Sequence, residues 1–420
     1  MAQTLDEAAA SPRPSYRALL GQNKNFRRVW FATLISLGGD WFNTVALLGL
    51  VLDLTGSGFQ AALVLAAQML PQSIFFPIAG PVADRFNRKM IMVTADLVRV
   101  LLALGMLLVR SESTVWIGIA CVAGIASMEA FYQPASGAAL PNLVEPEDLP
   151  AANVVAGATW GTMLAVGAAL GGIVATTLGR DAAFIINACS FAVSAMLVLS
   201  VRANFSAAGL KRTDRHRPIK DLVEGFAFAR SHGKIMALLA TKGGFGMGVG
   251  VIAMLAPFAR SRFGAADVGI GLLFAARGIG VILGPPIAAR FATQSTSRLF
   301  LTIAGSMALY GLGYSMLPFM PGLLLAGLVV VIAHLGGGTQ WVMSSYGLQR
   351  FTPDNIRGRI LSLDLALVSL TVALSSLAAG KLTELIDPGK AISVFAGVAV
   401  IYAVAWFLGT RRVVTRPDPS

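Results

Sequence analysis

The chain is dominated by apolar stretches that are long enough to cross a lipid bilayer. A helix needs about 20 apolar residues to cross a hydrocarbon core of about 30 Å, and a scan for such stretches predicts twelve spans. This pattern predicts an all-α membrane protein. In chain order the spans cover residues 27–52, 59–83, 88–110, 114–140, 147–178, 181–202, 234–259, 267–290, 297–318, 321–349, 354–385 and 389–410.

The composition agrees with a bilayer as the main solvent. Hydrophobic residues make up 55% of the 420 residues and charged residues only 13%, about half of the roughly 25% found in soluble domains. The net charge of +12 does not indicate nucleic acid, because the basic residues stand at the ends of apolar stretches. We therefore expect membrane lipids, and no nucleic acid, as partners. Cys121 and Cys189 both lie within spans, which excludes a disulfide framework or a metal cluster.

The charge distribution also predicts the orientation of the chain. The polar residues 1–26 predict a disordered tail, and span 1 is too long and lacks the cleavage site of a signal peptide. With both termini in the cytoplasm, 24 of the 33 Lys and Arg residues lie on the cytoplasmic side, 6 (among them Arg180 and Arg260) lie outside and 3 lie within spans. This bias favours a bacterial inner-membrane protein with both termini inside.

The longest polar connector, residues 203–233, divides the chain into two halves. It contains the basic run 211–217, and from Ile219 its apolar residues recur at helical spacing, which predicts an amphipathic helix on the membrane surface. The predicted organisation is a tail over 1–26, a six-helix bundle over 27–202, the linker over 203–233, a second bundle over 234–410 and a tail over 411–420.

Short motifs recur in the two halves at a nearly constant offset. Residues 80–86 after span 2 correspond to 284–291 after span 8, and residues 144–149 before span 5 correspond to 351–356 before span 11. The offset stays between 204 and 207 residues, which predicts a parallel duplication of a six-helix unit.

The loop between spans 2 and 3 carries the sequence Gly-Pro-Val-Ala-Asp-Arg-Phe-Asn-Arg-Lys over residues 80–89. With twelve spans and a central linker, it resembles the signature of the major facilitator superfamily. Finer features resemble its drug-efflux and siderophore-export group, which includes enterobactin and macrolide exporters: Leu-Pro-Asn-Leu-Val over 140–144, Arg-Gly-Arg over 357–359, and Asp96 with Arg99. The resemblance implies two pseudo-symmetric six-helix bundles, a monomer, and export of a small molecule through a central cavity.

Physical arguments assign this loop a gating role. Gly80 permits close packing of spans 2 and 11, and Asp84 places an anion where the N-terminus of span 11 can receive it. We expect Thr352 to cap that helix, with Pro353 at its first position. The remaining predicted members of the conformational gate, Arg85, Arg88 and Lys89, can pair with carboxylates or lipid phosphates. The alternative is a basic loop that only sets topology. The second copy has Ala289 in place of the aspartate, so a symmetric second gate is not expected.

Seven ionisable residues fall inside predicted spans. Each costs about 2.5–3.5 kcal/mol at mid-bilayer, so they should face a cavity or one another. Asp96 and Arg99 are spaced to form a structural ion pair on span 3. Asp40 lies 13 residues into span 1, roughly 20 Å from the start of the helix. Asp40 and Glu129 are the candidates for carrying a coupling proton. By the resemblance, the substrate-pathway candidates are Trp41, Lys242, Arg277, Trp341 and Asp364. Alternatively, Lys242 and Arg277 only neutralise Asp40 or Glu129.

The motifs exclude several classes of function. The chain has no Gly-x-x-x-x-Gly-Lys-Ser/Thr loop for ATP, and no clustered nucleophile, base and orienting group. We therefore expect no enzyme activity, cofactor or metal, and predict a secondary active transporter that exports an amphipathic small molecule in exchange for protons. The alternatives are an importer or lipid flippase on the same fold, or a membrane receptor that does not transport.

Overall fold

The computed structural model of the chain describes residues 16–205 and 218–414. Within these ranges the regular structure is helical, and twelve helices are long and apolar enough to cross a membrane. The predicted all-α, twelve-span fold is therefore confirmed. The spanning helices are α1 (Lys24–Thr55), α2 (Gly58–Arg85), α3 (Arg88–Gly105), α4 (Val115–Ala139), α5 (Leu149–Thr177), α6 (Arg180–Leu199), α7 (Gly233–Gly248 and Val251–Phe263), α8 (Asp267–Ala292), α9 (Thr296–Met316), α10 (Leu323–Phe351), α11 (Asp354–Thr383) and α12 (Pro388–Val414).

Short polar turns with explicit caps fix the ends of several helices. The side chains of Asn23 and Ser57 accept hydrogen bonds from backbone amides in the first turns of α1 and α2, at 2.9 and 3.2 Å. Gly56 ends α1 in a left-handed conformation with φ of 64°, which glycine adopts without steric cost. The chain can therefore reverse within three residues and send α2 back across the membrane.

The helix contacts repeat between the two halves. In the first half α2 packs on α4, and α3 packs on both α4 and α6; in the second half α8 packs on α10, and α9 packs on both α10 and α12. Each pair in the second half is the corresponding first-half pair advanced by six helices. The two bundles are therefore pseudo-symmetric copies, as the repeated motifs predict.

Because consecutive helices alternate in direction, the start of α1 and the end of α12 lie at the same side of the molecule. We call this side the terminal face, and the opposite side, which carries the turns at 55–58 and 264–267, the far face.

The bundles meet where α5 packs on α8 and α2 packs on α11. Toward the far face these contacts are close: a Cβ atom on Gly172 would lie 2.7 Å from the Asp267 carbonyl oxygen, and one on Gly271 would lie 2.6 Å from the Ala168 carbonyl oxygen. A Cβ on Gly380 of α11 would overlap Ala62 of α2. Small residues thus let the backbones of the two halves touch on the far-face side.

Toward the terminal face the same helices separate. Counting the described residues, no atom lies within 4 Å of the position that a Cβ would take on Gly80, Gly157 or Gly358. The predicted close packing of α2 and α11 at Gly80 is therefore absent in this conformation, because the two helices approach at their far-face ends and diverge before they reach it. The bundles are closed at the far face and open at the terminal face.

Two short helices lie outside the spans. Residues 16–22 form a helix, in contrast to the predicted disordered tail, because Leu19 is buried against Phe26, Val144 and Ala151 at the terminal face. The basic run 211–217 lies outside the described residues. The helix Pro218–Ser231 follows it and packs on α11, where Arg359 donates a 2.5 Å hydrogen bond to Glu224.

Candidate functional site

A cavity of about 200 Å³ lies between the two bundles. Its wall comes from α1, α2, α4 and α5 of the first half and from α7, α8 and α11 of the second half. Most lining side chains are aliphatic or aromatic, and a few amides and hydroxyls are interspersed among them. Of the residues singled out in the sequence, the cavity brings together Asp40, Trp41, Glu129 and Arg277.

Helix α7 is interrupted where it reaches the cavity. Residues 249 and 250 form a turn between its two segments, and Val249 and Ile252 line the cavity. The Gly250 amide donates a 2.9 Å hydrogen bond to Ser375 of α11, and the Ser375 hydroxyl donates a 2.7 Å bond to the Met247 carbonyl oxygen. Ser375 thus satisfies backbone groups that the break releases. The apolar pattern alone predicts one continuous span here, although helix propensity is weakened by the glycines at 243, 244, 246, 248 and 250.

Arg99 is the centre of a buried ionic network in the first half. It is fully buried, lies 3.3 Å from Asp96, and forms an ion pair with Glu129 of α4. Ser194 of α6 donates a 2.6 Å hydrogen bond to Asp96, and the guanidinium lies 4.9 Å from the centre of the Tyr132 ring. The structure thus places the predicted Asp96–Arg99 pair in a larger network that reaches the cavity through Glu129.

Asp40 differs from the other carboxylates singled out inside the spans, Asp96, Glu129 and Asp364, because it has no ion pair within 4 Å among the described residues. It is half-buried at the cavity wall. Arg99, Glu129 and Asp96 are its charged neighbours, all within electrostatic range. A Cβ on the adjacent Gly39 would overlap Ser190 of α6, so close packing between α1 and α6 fixes the backbone that carries Asp40.

Lys242 and Asp364 form a buried ion pair between α7 and α11. Their side chains are 1% and 3% exposed. The ammonium group also donates a 2.9 Å hydrogen bond to Ser345 and lies 4.4 Å from the centre of the Trp341 ring. Lys242, Asp364 and Trp341 were predicted along the substrate pathway, but none of them lines the cavity described above. Lys242 is paired within the second half and does not neutralise Asp40 or Glu129.

Arg277 has a different environment from the other buried cations. Only 8% of the residue is exposed, and no carboxylate lies within ion-pair distance among the described residues. Its Nε atom donates to Nε2 of His334 at 3.3 Å. Nδ1 of His334 lies 3.2 Å from the Tyr314 hydroxyl and 3.3 Å from the Val330 carbonyl oxygen. The role of Tyr314 beside His334 was not predicted from the sequence. Its signal is the spacing of the tyrosines at 310 and 314, which lie four residues apart and so put two hydroxyls on one face of α9.

Two of the basic residues of the 80–89 loop, Arg88 and Lys89, form hydrogen bonds with backbone carbonyl oxygens of the first half. Arg88 donates to the carbonyl oxygens of Ala138 and Phe205 at 2.7 and 3.1 Å, and Lys89 donates to Val201 at 2.8 Å. Arg85 is exposed, and the side chain of Asp84 lies outside the described residues.

The predicted cap of α11 is wrong. Helix α11 begins at Asp354, so Pro353 occupies the N-cap position and Thr352 ends α10. The Thr352 hydroxyl is buried and makes no hydrogen bond among the described residues. Among the described side chains, none caps the first amides of α11.

An ion cluster joins the two bundles at the far face. Arg180 of α6 forms two hydrogen bonds, of 2.9 and 3.1 Å, with Asp267 of α8. Asp53 of α1 pairs with both Arg180 and Arg260 of α7. From the charge distribution the two arginines were expected only to set topology. The aspartates at span ends on the same face are the sequence signal for this cluster.

Comparisons with known proteins agree with this architecture. Residues 18–415 match the model of a major facilitator family described as transmembrane secretion effector. The chain is 26% identical over 378 residues to the multidrug efflux pump Tap of Mycobacterium tuberculosis, covering 85% of this chain and 86% of Tap. It is 24% identical over 409 residues to the uncharacterized MFS-type transporter YfiS of Bacillus subtilis, covering 95% and 96% of the two chains.

Solved structures share the fold. A POT family transporter in complex with 5-aminolevulinic acid aligns with a TM-score of 0.79 at 11% identity, covering 96% of this chain and 99% of that one. A bacterial homologue of the human lysosomal transporter Spinster, in an inward-facing and unoccupied conformation, aligns with a TM-score of 0.72 at 16% identity, covering 97% and 100%. The twelve helices, the two related bundles and the family match over residues 18–415 together establish that the chain belongs to the major facilitator superfamily and is a transmembrane transporter, not an enzyme.

Proposed function

We propose that this chain is a proton-coupled exporter of amphipathic, drug-type small molecules that works by alternating access in the bacterial inner membrane. The observation that carries the proposal is Asp40, a carboxylate on the wall of a largely apolar cavity between the two bundles, which has no ion pair within the part of the chain that the structure describes. The similarity to the Tap multidrug efflux pump supports export over import.

The charges around Asp40 support a proton-carrying role. Asp40, Asp96 and Glu129 are three carboxylates, and Arg99 is the guanidinium that they share. With all groups ionised, the cluster is net negative in a medium of low polarity, where uncompensated charge is costly. A proton on Asp40 lowers the net charge of the cluster from −2 to −1 without breaking either ion pair of Arg99. Release of the proton leaves a carboxylate beside the substrate.

The open terminal face fits the substrate-loading state of an exporter. The positive-inside bias favours a cytoplasmic position for this face, from which the cavity takes up substrate inside the cell. The switch to the outward-facing state then requires the terminal face to close. In that closed state we assign Asp84 to the first amides of α11 and Gly80 to the surface where α2 approaches α11.

The size and lining of the cavity favour a compact substrate. Pockets for drug-sized ligands are generally about 300–1,000 Å³, and this one is about 200 Å³. A drug-type molecule therefore needs modest widening of the cavity, whereas a siderophore needs much more. The apolar wall binds the body of the molecule, and Gln68, Gln72 and Gln133 supply hydrogen bonds.

Reconstituted protein with an imposed pH gradient tests the proton role. We expect Asp40→Asn to abolish gradient-driven accumulation of a cationic dye such as ethidium while preserving exchange of labelled dye down its own gradient. The matched control is Asp181→Asn, the same change at a half-exposed far-face residue that pairs with Arg110, and it should accumulate dye like the wild type. Accumulation by Asp40→Asn at the wild-type level refutes the proton role, and failure of the wild type to exchange any solute refutes transport of that class.

A further inference from the structure

Arg277 is a buried cation whose charge no described residue neutralises. Arginine stays protonated in proteins, so its charge cannot be removed by loss of a proton. Burial of an unpaired charge is strongly unfavourable, and the other two buried cations of the spans, Arg99 and Lys242, each have a carboxylate partner. Among the described residues Arg277 has no such partner, even though only 8% of the residue is exposed.

The carboxylates of the cavity do not fill this role. Glu129 is paired with Arg99, and its second oxygen accepts a 2.7 Å hydrogen bond from Gln133. Asp40 lies on the opposite half, and Arg277 is not among the charged neighbours of its carboxylate. His334 is the described side chain that forms a hydrogen bond with the guanidinium group of Arg277.

The contacts of Arg277 orient it without neutralising it. Its Nε–H donates to Nε2 of His334, so His334 is the neutral tautomer with its proton on Nδ1, beside the Val330 carbonyl oxygen. The Phe274 ring lies 4.9 Å from the guanidinium carbon. These contacts occupy one donor and one side of the group, while the two terminal amino groups, with four N–H donors, have no protein acceptor among the described residues.

The surroundings of those donors suit an amphipathic anion. Arg277 lines the cavity, and beside it the rings of Trp41 and Phe274 lie 5.9 Å apart across the interface between the bundles. A guanidinium fork binds a carboxylate through two parallel hydrogen bonds, and the Trp41 ring, which is only partly buried, offers apolar surface to the body of the same molecule.

We propose that Arg277 is the anchor for an anionic group, a carboxylate on an apolar or aromatic body, and that this transporter accepts amphipathic acids. The inference rests on the proposed function in that it assigns the substrate site to the cavity between the bundles. His334 is a positioning residue in this arrangement, because it holds the guanidinium and does not itself contact the ligand.

The experiment compares two probes that differ only in charge, pyrenebutyrate and pyrenebutanol. Binding to the purified transporter is measured by energy transfer from tryptophan, since Trp41 and Trp160 line the cavity. For wild type we expect the carboxylate to bind at least about tenfold more tightly than the alcohol, as hydrogen bonds to charged groups allow. Arg277→Gln should lose this preference, and Arg277→Lys, which keeps the charge without the fork, should retain part of it. Arg110→Gln, at an exposed far-face arginine, should behave like the wild type.

Equal binding of the two probes by wild type overturns the inference, whether or not the Arg277→Gln variant folds. Unchanged preference in a folded Arg277→Gln variant overturns it as well. Export is scored separately with the cationic dye: dye accumulation without a carboxylate preference refutes the anion site alone. An Arg277-dependent preference without accumulation of any solute refutes the export proposal and leaves the anion site standing.

Discussion

The far-face ion cluster predicts how the conformational equilibrium responds to a single neutral substitution. Asp267 is the acceptor through which Arg180 of the first bundle holds the second bundle, and its side chain is only 6% exposed. Asp267→Asn removes the charge from this contact, whereas Arg180 keeps Asp53 as a partner within its own bundle. The variant therefore weakens the closed far face without leaving an arginine unpaired.

The size of the effect follows from the two hydrogen bonds of 2.9 and 3.1 Å. Hydrogen bonds to charged groups contribute about 1.5–3 kcal/mol, and a loss of about 2 kcal/mol shifts an equilibrium about 30-fold. If the far face is open in a small fraction of molecules, that fraction should rise by about this factor until it approaches saturation.

Cysteine accessibility measures the shift. Cys121 and Cys189 are replaced by serine, Ser376→Cys places a thiol in the cavity wall, and a membrane-impermeant maleimide is added on the far-face side. Labelling should be faster with Asp267→Asn and unchanged with Asp181→Asn, which breaks the exposed pair with Arg110 inside one bundle. Equal labelling rates for Asp267→Asn and its parent would refute the assignment of this cluster as the far-face lock.

Two further predictions concern the gate loop and the second-half ion pair. The leucine side chain of Gly80→Leu meets open space in this conformation, so the variant should fold and insert but should fail to close its terminal face and to transport. Thiols in the cavity should then become more accessible from the terminal side. The control Gly397→Leu, where the added side chain also meets open space, should transport normally. Lys242→Ala leaves Asp364 buried without its cation, which should destabilise the protein by about 3–5 kcal/mol and lower its melting temperature in a thermal unfolding assay. The double variant Lys242→Met/Asp364→Leu should recover most of the lost stability, and Lys390→Ala, at an exposed site, should leave the melting temperature unchanged. If the double variant recovers no stability, the destabilisation by Lys242→Ala does not come from the ion pair alone.

The spans themselves are determined by the sequence. The bilayer imposes a helix length, so apolar runs of the required length predicted twelve helices, and even long spans such as 354–385 ended within a few residues of the observed Asp354–Thr383. Local chemistry that overrides the pattern was harder to predict. The break in α7 depends on Ser375 from α11, and the helix at 16–22 depends on the burial of Leu19 against α5.

For the charges in the membrane, the sequence determined how many have to be satisfied, and only the tertiary structure decided how. The cost of burying an ion requires each of the seven to find a partner or a cavity, and composition and span length suffice to state that requirement. Which partner each one finds depends on which helix faces meet, and that is set by packing between residues far apart in the chain. Glu129 meets Arg99, Lys242 meets Asp364, and Arg277 donates a hydrogen bond to the neutral His334. That last arrangement cannot be read from a list of spans, because it depends on which side chains meet where α8, α9 and α10 come together.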